Sequence, residues 1–331
     1  MDVVSFFKKS AWQQCRIVLP EGQDERILRA ARKAKDKKLA KPFFIGDRKK
    51  IENTAKKLKI RIDDINIIDM SKGIPKEHIE SYVNIRGVSQ PLAERMLSSP
   101  LFLAALMVRT GRADAMVAGA VYSSADVITA ADGIVGLKKG VSVPSSFFIM
   151  DIPGYKGGEK GLLLFADSSV NIEPTSEQLA DIAITTAGTA KELMGWVPRV
   201  AMLSFSTKGS AIHPRVDKVT EATRIAKKKA PKFSIDGELQ GDSALVEKTA
   251  KKKMKGGTGK VGGKANVLIF PDLDAGNISY KLVQTLAKAN AYGPILQGFN
   301  RPVSDLSRGA KVDDILGVIA IVSSWAGRKR K

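Results

Sequence analysis

The chain is poor in the residues that carry the commonest covalent and metal chemistry. Cys15 is its only cysteine, so it can form neither an intramolecular disulfide nor a multi-cysteine metal site. It has two histidines, His78 and His213, which gives poor support to a histidine-based zinc centre or a Ser-His-Asp triad. Cys15 directly precedes an apolar strand, Ile17-Val18-Leu19, and reads as structural. No apolar run approaches the ~20 residues that span a bilayer. Met1 to Gln14 has no apolar core of signal-peptide length. That segment, with Phe6-Phe7-Lys8-Lys9, reads as a frayed first helix rather than a short docking helix. A cytoplasmic protein with no membrane partner is expected.

Acidic residues are also scarce. There are 34 Asp and Glu against 54 Lys and Arg, a formal charge of +20. Such a field attracts polyanions, acidic surfaces or phosphorylated metabolites. The lysine clusters are dispersed: Lys49-Lys50, Lys227-Lys228-Lys229, Lys251-Lys252-Lys253 and Arg328-Lys329-Arg330-Lys331. Few aromatics accompany them and no nucleic-acid motif does, so they read as solvated faces with no dedicated nucleic-acid binding.

What is present is alternation. Arg16 to Pro20, Lys41 to Gly46 and Ile65 to Ile68 read as strands, with helices between them from the turn at Glu21-Gly22 and from Asp47 to Leu58. Strands alternating with helices predict βαβ units and a parallel sheet. Helices are expected at Pro91 to Leu97 and Pro100 to Arg109. A strand at Ala115 to Ala120 then runs into the small polar stretch Val121 to Asp126. The carboxyl end of a strand is where open α/β sheets place ligands.

After Leu137-Lys138-Lys139-Gly140 the character shifts. Ser146 to Met150 and Leu162 to Phe165 read as a hairpin. Thr175-Ser176-Glu177-Gln178 is a capping box for a helix ending at Gly195. Further strands are expected at Arg199 to Ser204, Phe233 to Glu238 and Val267 to Asp272. Helices are expected at Val216 to Ala230, Ser243 to Lys253 and Ile278 to Ala289. Length suggests two domains.

The glycine-rich Gly257-Thr258-Gly259-Lys260-Val261-Gly262 fits G-x-G-x-x-G, but it follows a helix and precedes a strand, the reverse of the dinucleotide-binding context. It reads as a flexible surface loop.

The richest stretch chemically is Gly298 to Gly309, closed by Asp313-Asp314-Ile315. Ser307 and Arg308 precede Gly309 and belong to a turn or a helix mouth. The run Asp313 to Val322 has the apolar content of a helix, whose start favours anions. Arg308 can fork onto a phosphate, and Ser307 can donate to an oxygen that gains charge in acyl transfer. Asp314 is a candidate general base. A plain Ser-Arg-Gly turn with an acidic cap accounts for the same residues. Three other loops gather similar groups at strand ends: Ser123 to Asp126, Ser206 to Ser210 and Asp272 to Asn277. They suit a phosphorylated ligand. No cluster resembles a metal cage, and Asp272 and Asp274 read as turn or cap residues.

Taken in order, these segments resemble the phosphate acetyl/butyryltransferase family over essentially the whole chain. The marks are Val18-Leu19-Pro20-Glu21 with Arg26, Val117-Ala118-Gly119-Ala120 with Ser124-Ala125-Asp126, Leu164 to Ser168, Val200 to Ser204 with Ser206 to Ala211, Ile235-Asp236-Gly237-Glu238-Leu239-Gln240, Lys264 to Val267, Phe270 to Leu273 with Gly276-Asn277, Tyr292 to Ile295, and Asp305-Leu306-Ser307-Arg308-Gly309. The Asp-Gly-Glu-Leu-Gln stretch is closer to the acetyl branch, the phosphate acetyltransferases.

The resemblance implies reversible acetyl transfer between acetyl phosphate and coenzyme A, with coenzyme A as a substrate and no tightly bound cofactor. It implies an α/β fold of two domains with largely parallel sheets and an inter-domain active-site cleft, isocitrate/isopropylmalate dehydrogenase-like, and commonly a homodimer. The C-terminal segment then rejoins the first half, so residues 1–140 with 301–331 form one domain and 141–300 the other. Asp314 matches the base that takes the thiol proton, Ser307 the hydroxyl that stabilises the oxyanion, and Arg308 the arginine that binds the acyl phosphate. Arg86 matches a substrate-binding arginine and Arg26 one linked to coenzyme A. Ser124, Thr207, Lys208 and Asn277, from the strand-end loops, complete the expected substrate-binding set; no metal is expected.

Two departures stand out. Thr129 occupies the place where the family usually carries an arginine, and Gly87 follows Arg86 at once where the family has a longer basic turn. Three other readings compete: a propionyl or butyryl transferase of the same mechanism, a non-catalytic regulatory or assembly module of the same fold, and a polyanion-binding protein. One methylene in a pocket is worth only ~1–3 kcal/mol, so acyl preference is not legible.

Overall fold

The computed structural model describes residues 3–8 and 10–328. The basic tail Lys329-Arg330-Lys331 lies outside the described residues. The fold is α/β. By internal packing the chain divides into two units, Met1–Gly136 with Phe299–Lys331, and Leu137–Gly298.

The first unit opens with a short helix, α1 (Val3–Lys8), that buries Phe7 completely. Then follow β1 (Arg16–Leu19), α2 (Glu25–Asp36), β2 (Lys41–Gly46), α3 (Arg48–Lys57) and β3 (Ile67–Asp69). Asp24 caps α2 and Asp47 caps α3, each through its carboxylate on backbone N–H groups of the first turn. Helices α4 (Lys76–Arg86), α5 (Gln90–Leu97) and α6 (Pro100–Arg109) lead to β4 (Ala115–Val117) and α7 (Ser124–Ala130). The expected strand to Ala120 stops at Val117, because the Gly119 and Ala120 N–H groups turn to a carboxylate described below. Helix α4 has no counterpart in the sequence reading. It buries only His78, Ile79 and Tyr82 and has little apolar periodicity.

The second unit carries β5 (Ser145–Asp151), β6 (Leu162–Ala166), α8 (Ser176–Met194), β7 (Arg199–Leu203), α9 (Pro214–Lys229), β8 (Ser234–Leu239), α10 (Gly241–Leu245), α11 (Glu247–Lys253), β9 (Val267–Ile269), α12 (Leu273–Leu286) and β10 (Asn290–Gln297). Strands β5 and β6 pair antiparallel, as the hairpin reading expects, and β10 pairs antiparallel with β5. Strands β6, β9, β7 and β8 run parallel in that order. The capping box at Thr175 and Gln178 is present, and Gly195 ends α8 in the left-handed region. One expected helix, 243–253, is two, because Val246 adopts an extended backbone between them. The expected helix 278–289 begins earlier, at Leu273, since Asp272 caps it by accepting from the Ala275 N–H at 2.8 Å.

The chain then returns to the first unit as β11 (Val303–Ser304) and α13 (Val312–Arg328). The first unit's sheet is parallel throughout, in the order β3-β2-β1-β4-β11. α13 is buried from Ile315 to Ala326 and packs against α2 and α1. An apolar helix of this length covers one face of the sheet and fixes where its own first turn lies.

Candidate functional site

In the first unit, the segment between β11 and α13 carries two of the predicted residues, Ser307 and Arg308, and the first turn of α13 carries a third, Asp314. Asp305 and Leu306 are buried, whereas Ser307, Arg308 and Gly309 are exposed. Among the described residues the Ser307 hydroxyl accepts one long bond, from the Gly309 N–H at 3.3 Å. Asp314 stands in the first turn of α13, half-buried, and its Oδ2 accepts from the Lys311 N–H at 2.9 Å. That bond orients the carboxylate through Oδ2. The neighbouring Asp313 is exposed and paired with Lys33 at 2.8 Å, so the two aspartates have different tasks.

The loop is held by Arg26, at the start of α2. Its Nη1 donates to the carbonyls of Arg308 at 2.6 Å and Ala310 at 3.2 Å. Its Nη2 donates to the Ala120 carbonyl and to Asp24 Oδ2, both at 2.8 Å, and its Nε donates to Asp24 Oδ1 at 3.1 Å. A guanidinium has five N–H groups, and all five are engaged by protein acceptors. Arg26 is therefore a brace between the strand-end loops here, with no donor left for an anion. Arg308 differs, because among the described residues only its carbonyl is used, and its side chain is exposed.

Glu21 organises the loop after β4. Its Oε2 accepts from the N–H groups of Gly119 and Ala120, each at 3.0 Å, and its Oε1 from those of Val121 at 2.7 Å and Tyr122 at 2.8 Å. A buried carboxylate is stable only when satisfied in this way. Gly119 brings the two loops close. A Cβ on it would lie 2.1 Å from Asp305 Oδ1 and 2.6 Å from the Leu306 nitrogen, and its φ of +108° excludes most side chains.

Ser124, the first residue of α7, is exposed on one side and bonded to Asp305 Oδ2 at 2.5 Å on the other. Asp305 Oδ1 is buried with no hydrogen-bond partner. Burial pushes the Asp305 pKa up to about 6; the bond from Ser124 and the Leu306 N–H pull it down less, and the Glu21 carboxylate adds a small push upward.

Arg86 ends α4, exposed, with Gly87 as a left-handed cap, and no ion pair or hydrogen bond of its guanidinium is found among the described residues. Thr129 lies exposed on α7. In the second unit the predicted residues build loops. Thr207 is buried, and its hydroxyl bonds to Gln240 Oε1 and to Ser243 Oγ at 3.2 Å each while accepting the Gln240 N–H at 3.0 Å. Lys208 donates to Asp236 Oδ1 at 2.7 Å and to the Gly237 carbonyl at 2.8 Å. Burial alone would raise the Asp236 pKa, but bonds from Lys208 and Lys227 outweigh it and hold it below the ordinary value. Asn277 belongs to α12 rather than to a loop, and its Nδ2 donates to the Ser168 carbonyl at 3.2 Å.

Hydrogen bonds thus link Arg26 to the backbone of Arg308 and Ser124 to the segment that carries Ser307. Arg86 makes no such link among the described residues. Glu21 and Asp305 went unrecognised as site-building groups, although each lies inside a motif already noted. A single acidic residue directly after β1 or β11 was the available signal. The second unit also has a cavity of about 640 Å³ at the ends of β6, β7 and β9, with Phe165, Phe205 and Phe270 among its walls and Arg215 and Lys218 at α9. None of the predicted residues lines it.

The histidines take no part. His78 is buried, with its Nδ1 2.9 Å from Arg112 Nη1; burial first, then the Arg112 charge, lower its pKa. His213 caps α9 through Nδ1. Among the described residues no cluster of three or more His, Cys, Asp or Glu side chains could hold a metal ion.

Comparison with known proteins gives a consistent set of relatives. The family described as "Phosphate acetyl/butaryl transferase" matches residues 3–323. A phosphate acetyltransferase of Thermoanaerobacterium thermosaccharolyticum is 45% identical, with 98% of this chain and 99% of that protein aligned. Among solved structures, a phosphotransacetylase from Streptococcus pyogenes superposes with a TM-score of 0.90 at 39% identity, covering 98% of each chain. A 4-hydroxythreonine-4-phosphate dehydrogenase from Burkholderia phymatum, at 12% identity and a TM-score of 0.55 over 94% of this chain and 98% of that one, shares the dehydrogenase-like fold.

Proposed function

Because the chain belongs to the phosphate acetyl/butaryl transferase family of acyltransferases, we propose that it moves an acetyl group reversibly between acetyl phosphate and coenzyme A. Coenzyme A, acetyl-CoA, acetyl phosphate and phosphate are then its partners, all as substrates or products, and no tightly bound cofactor is needed. The observation that carries this reading is the exposed Ser307-Arg308 pair at the mouth of α13, with Asp314 oriented in the same helix turn.

A thiol with a pKa near ~8.5 is mostly protonated at neutral pH, so a positioned base helps. Asp314 Oδ1 takes that proton. The thiolate sulfur attacks the acetyl carbonyl carbon, and the carbonyl oxygen becomes an oxyanion to which Ser307 donates. The bond from carbon to the bridging phosphate oxygen breaks, and phosphate leaves with its electron pair. Arg308 neutralises the phosphoryl oxygens, which lowers the barrier most where charge develops. Phosphate is a good leaving group, so direct attack needs proximity rather than a covalent enzyme intermediate.

Arg86 supplies a second free guanidinium for an anionic substrate, and Ser124 a hydroxyl. Arg26 acts by holding the Arg308 backbone. Thr207, Lys208 and Asn277 act by shaping their loops, given the bonds they already make. A propionyl or butyryl preference is the second reading, favoured by Thr129 in place of the family's usual arginine.

A homodimer fits the exposed stripe Ile278, Leu282 and Leu286 along α12, spaced one turn apart. The protein is proposed to work in the cytoplasm. The test is acyl-CoA formation from coenzyme A with acetyl, propionyl and butyryl phosphate, run on the wild type and Asp314→Asn. Fast turnover with acetyl phosphate, cut by about a hundredfold or more in the variant, supports the reading. Full turnover by Asp314→Asn removes the base assignment, and no turnover by folded wild type removes the activity.

A further inference from the structure

The buried carboxyl of Asp305 has no role in the chemistry above, yet it touches one of the residues that face the substrate. Ser124 is exposed on the outer side and meets Asp305 Oδ2 at 2.5 Å on the inner side. A serine hydroxyl has one hydrogen. When Asp305 is ionised it can only accept, so the Ser124 hydrogen points inward and only lone pairs face outward. When Asp305 carries a proton on Oδ2, it donates to Ser124 Oγ and the Ser124 hydrogen is free to point outward. A proton on Oδ1 would gain nothing, because that oxygen is buried without a hydrogen-bond partner.

We propose that Asp305 is a positioning residue that sets the direction of the Ser124 hydrogen, so that Ser124 donates to an anionic acyl phosphate only when Asp305 is neutral. Acyl-phosphate binding is then coupled to uptake of one proton at Asp305. The inference rests on the acyl-phosphate reading of the site.

The other charged groups around Asp305 are committed elsewhere, except Arg308, whose exposed side chain makes no ion pair with it among the described residues. Glu21, before α2, is satisfied by four backbone N–H groups and keeps its like charge beside Asp305. Arg26, on α2, is spent on Asp24 and three carbonyls. Asp126, on α7, accepts from Ser123 through both its N–H and its hydroxyl. Asp314, on α13, accepts from Lys311. Arg308 is exposed on the same segment. No cation therefore ion-pairs with Asp305 among the described residues, and burial holds its proton up to about pH 6. An anionic substrate held against Ser124 adds a further like charge and favours the neutral form more.

The test measures KM for acetyl phosphate and for coenzyme A across the range from about pH 5.5 to 8.5, around the Asp305 titration. It compares wild type, Asp305→Asn and Ser124→Ala. In Asp305→Asn, with the amide nitrogen at the Oδ2 position, the amide N–H donates to Ser124 Oγ and mimics the neutral acid. In wild type the acetyl phosphate KM should climb about tenfold from the acid to the alkaline side, the worth of one charge-assisted hydrogen bond. The coenzyme A KM should not follow it. Asp305→Asn should stay flat at the low value and Ser124→Ala flat at the high one.

Parallel profiles for wild type and Asp305→Asn would overturn the inference, as would equal movement of both KM values. If Asp305→Asn fails to fold, calorimetry of wild type with acetyl phosphate in two buffers of different ionisation enthalpy decides it. Proton uptake on binding supports the inference, and none overturns it. Absence of turnover in wild type counts against the proposed activity instead, and the same calorimetry then decides the inference alone.

Discussion

Replacing Glu21 by glutamine exchanges one carboxylate oxygen for an NH2 group and changes almost no volume. The carboxylate now accepts four backbone N–H groups at 2.7–3.0 Å, from Gly119 to Tyr122. A glutamine oxygen can keep two of them. The amide nitrogen then faces the other two as a donor against donors. Leaving a buried N–H unsatisfied costs about 1–3 kcal/mol, so two cost about 2–6. The retained pair also weakens, since a neutral acceptor binds about half as strongly as a charged one. About 3–7 kcal/mol is expected in all, and at ~2–4 °C per kcal/mol for a unit of this size the first unit should melt roughly 10 °C lower or more. The loop leads directly to Ser123 and Ser124. A displacement of about 1 Å there is enough to cut turnover on the order of a hundredfold. Thermal unfolding followed by circular dichroism, with steady-state turnover on the same preparation, measures both. A melting temperature within about 2 °C of wild type and turnover within twofold would refute the reasoning, because the four N–H groups would then have other acceptors.

Asp305→Asn should also change stability with pH. The folded-state pKa of about 6 lies above the ordinary 3.8, so the folded protein holds this proton more tightly than the unfolded chain does. Stability is unaffected below about pH 4, falls between about pH 4 and 6, and above that carries a deficit of up to about 3 kcal/mol; the variant should recover it in urea unfolding at neutral pH and match wild type in acid. Arg26→Met removes five hydrogen bonds and should lower kcat on the order of a hundredfold while the coenzyme A KM moves less than threefold. A rise in that KM with kcat preserved would show direct contact with coenzyme A instead. Arg308→Ala should weaken acetyl phosphate use more than coenzyme A use, and equal loss of both in paired KM measurements would indicate a structural role. Leu282→Glu places a charge in the α12 stripe and should give a monomer by light scattering; an unchanged dimer would place the contact elsewhere.

The alternation of strands and helices was readable because apolar runs of the right length are bounded by cap signals, as at Asp24 and Asp47 in the first unit and at Thr175 in the second. What was not readable had no local pattern. Strand β10 interrupts its pairing with β5 between Tyr292 and Ile295, which blurs its period. Gly276 and Asn277 looked like loop residues, but Gly276 packs where a Cβ would come within 2.2 Å of the Asp167 carbonyl. Asp272 could therefore start α12 before them. Here glycine marks close approach of backbone rather than the end of a helix.

The candidate site was legible in residue type but not in commitment. Arg26 and Arg308 look alike in sequence, each an arginine in a strand-end motif. They differ only in what surrounds them: five donors of one are engaged, and the side chain of the other is exposed. The same holds for acids. Asp313 and Asp314 are adjacent, yet Lys33 takes the first and the Lys311 N–H orients the second. Glu21 and Asp305 are both buried beside the same glycine, yet one meets four N–H groups and the other a single hydroxyl. Of the two, Asp305 is the one whose pKa burial raises to about 6, and the part of the site that responds to pH is expected at Ser124, which it touches.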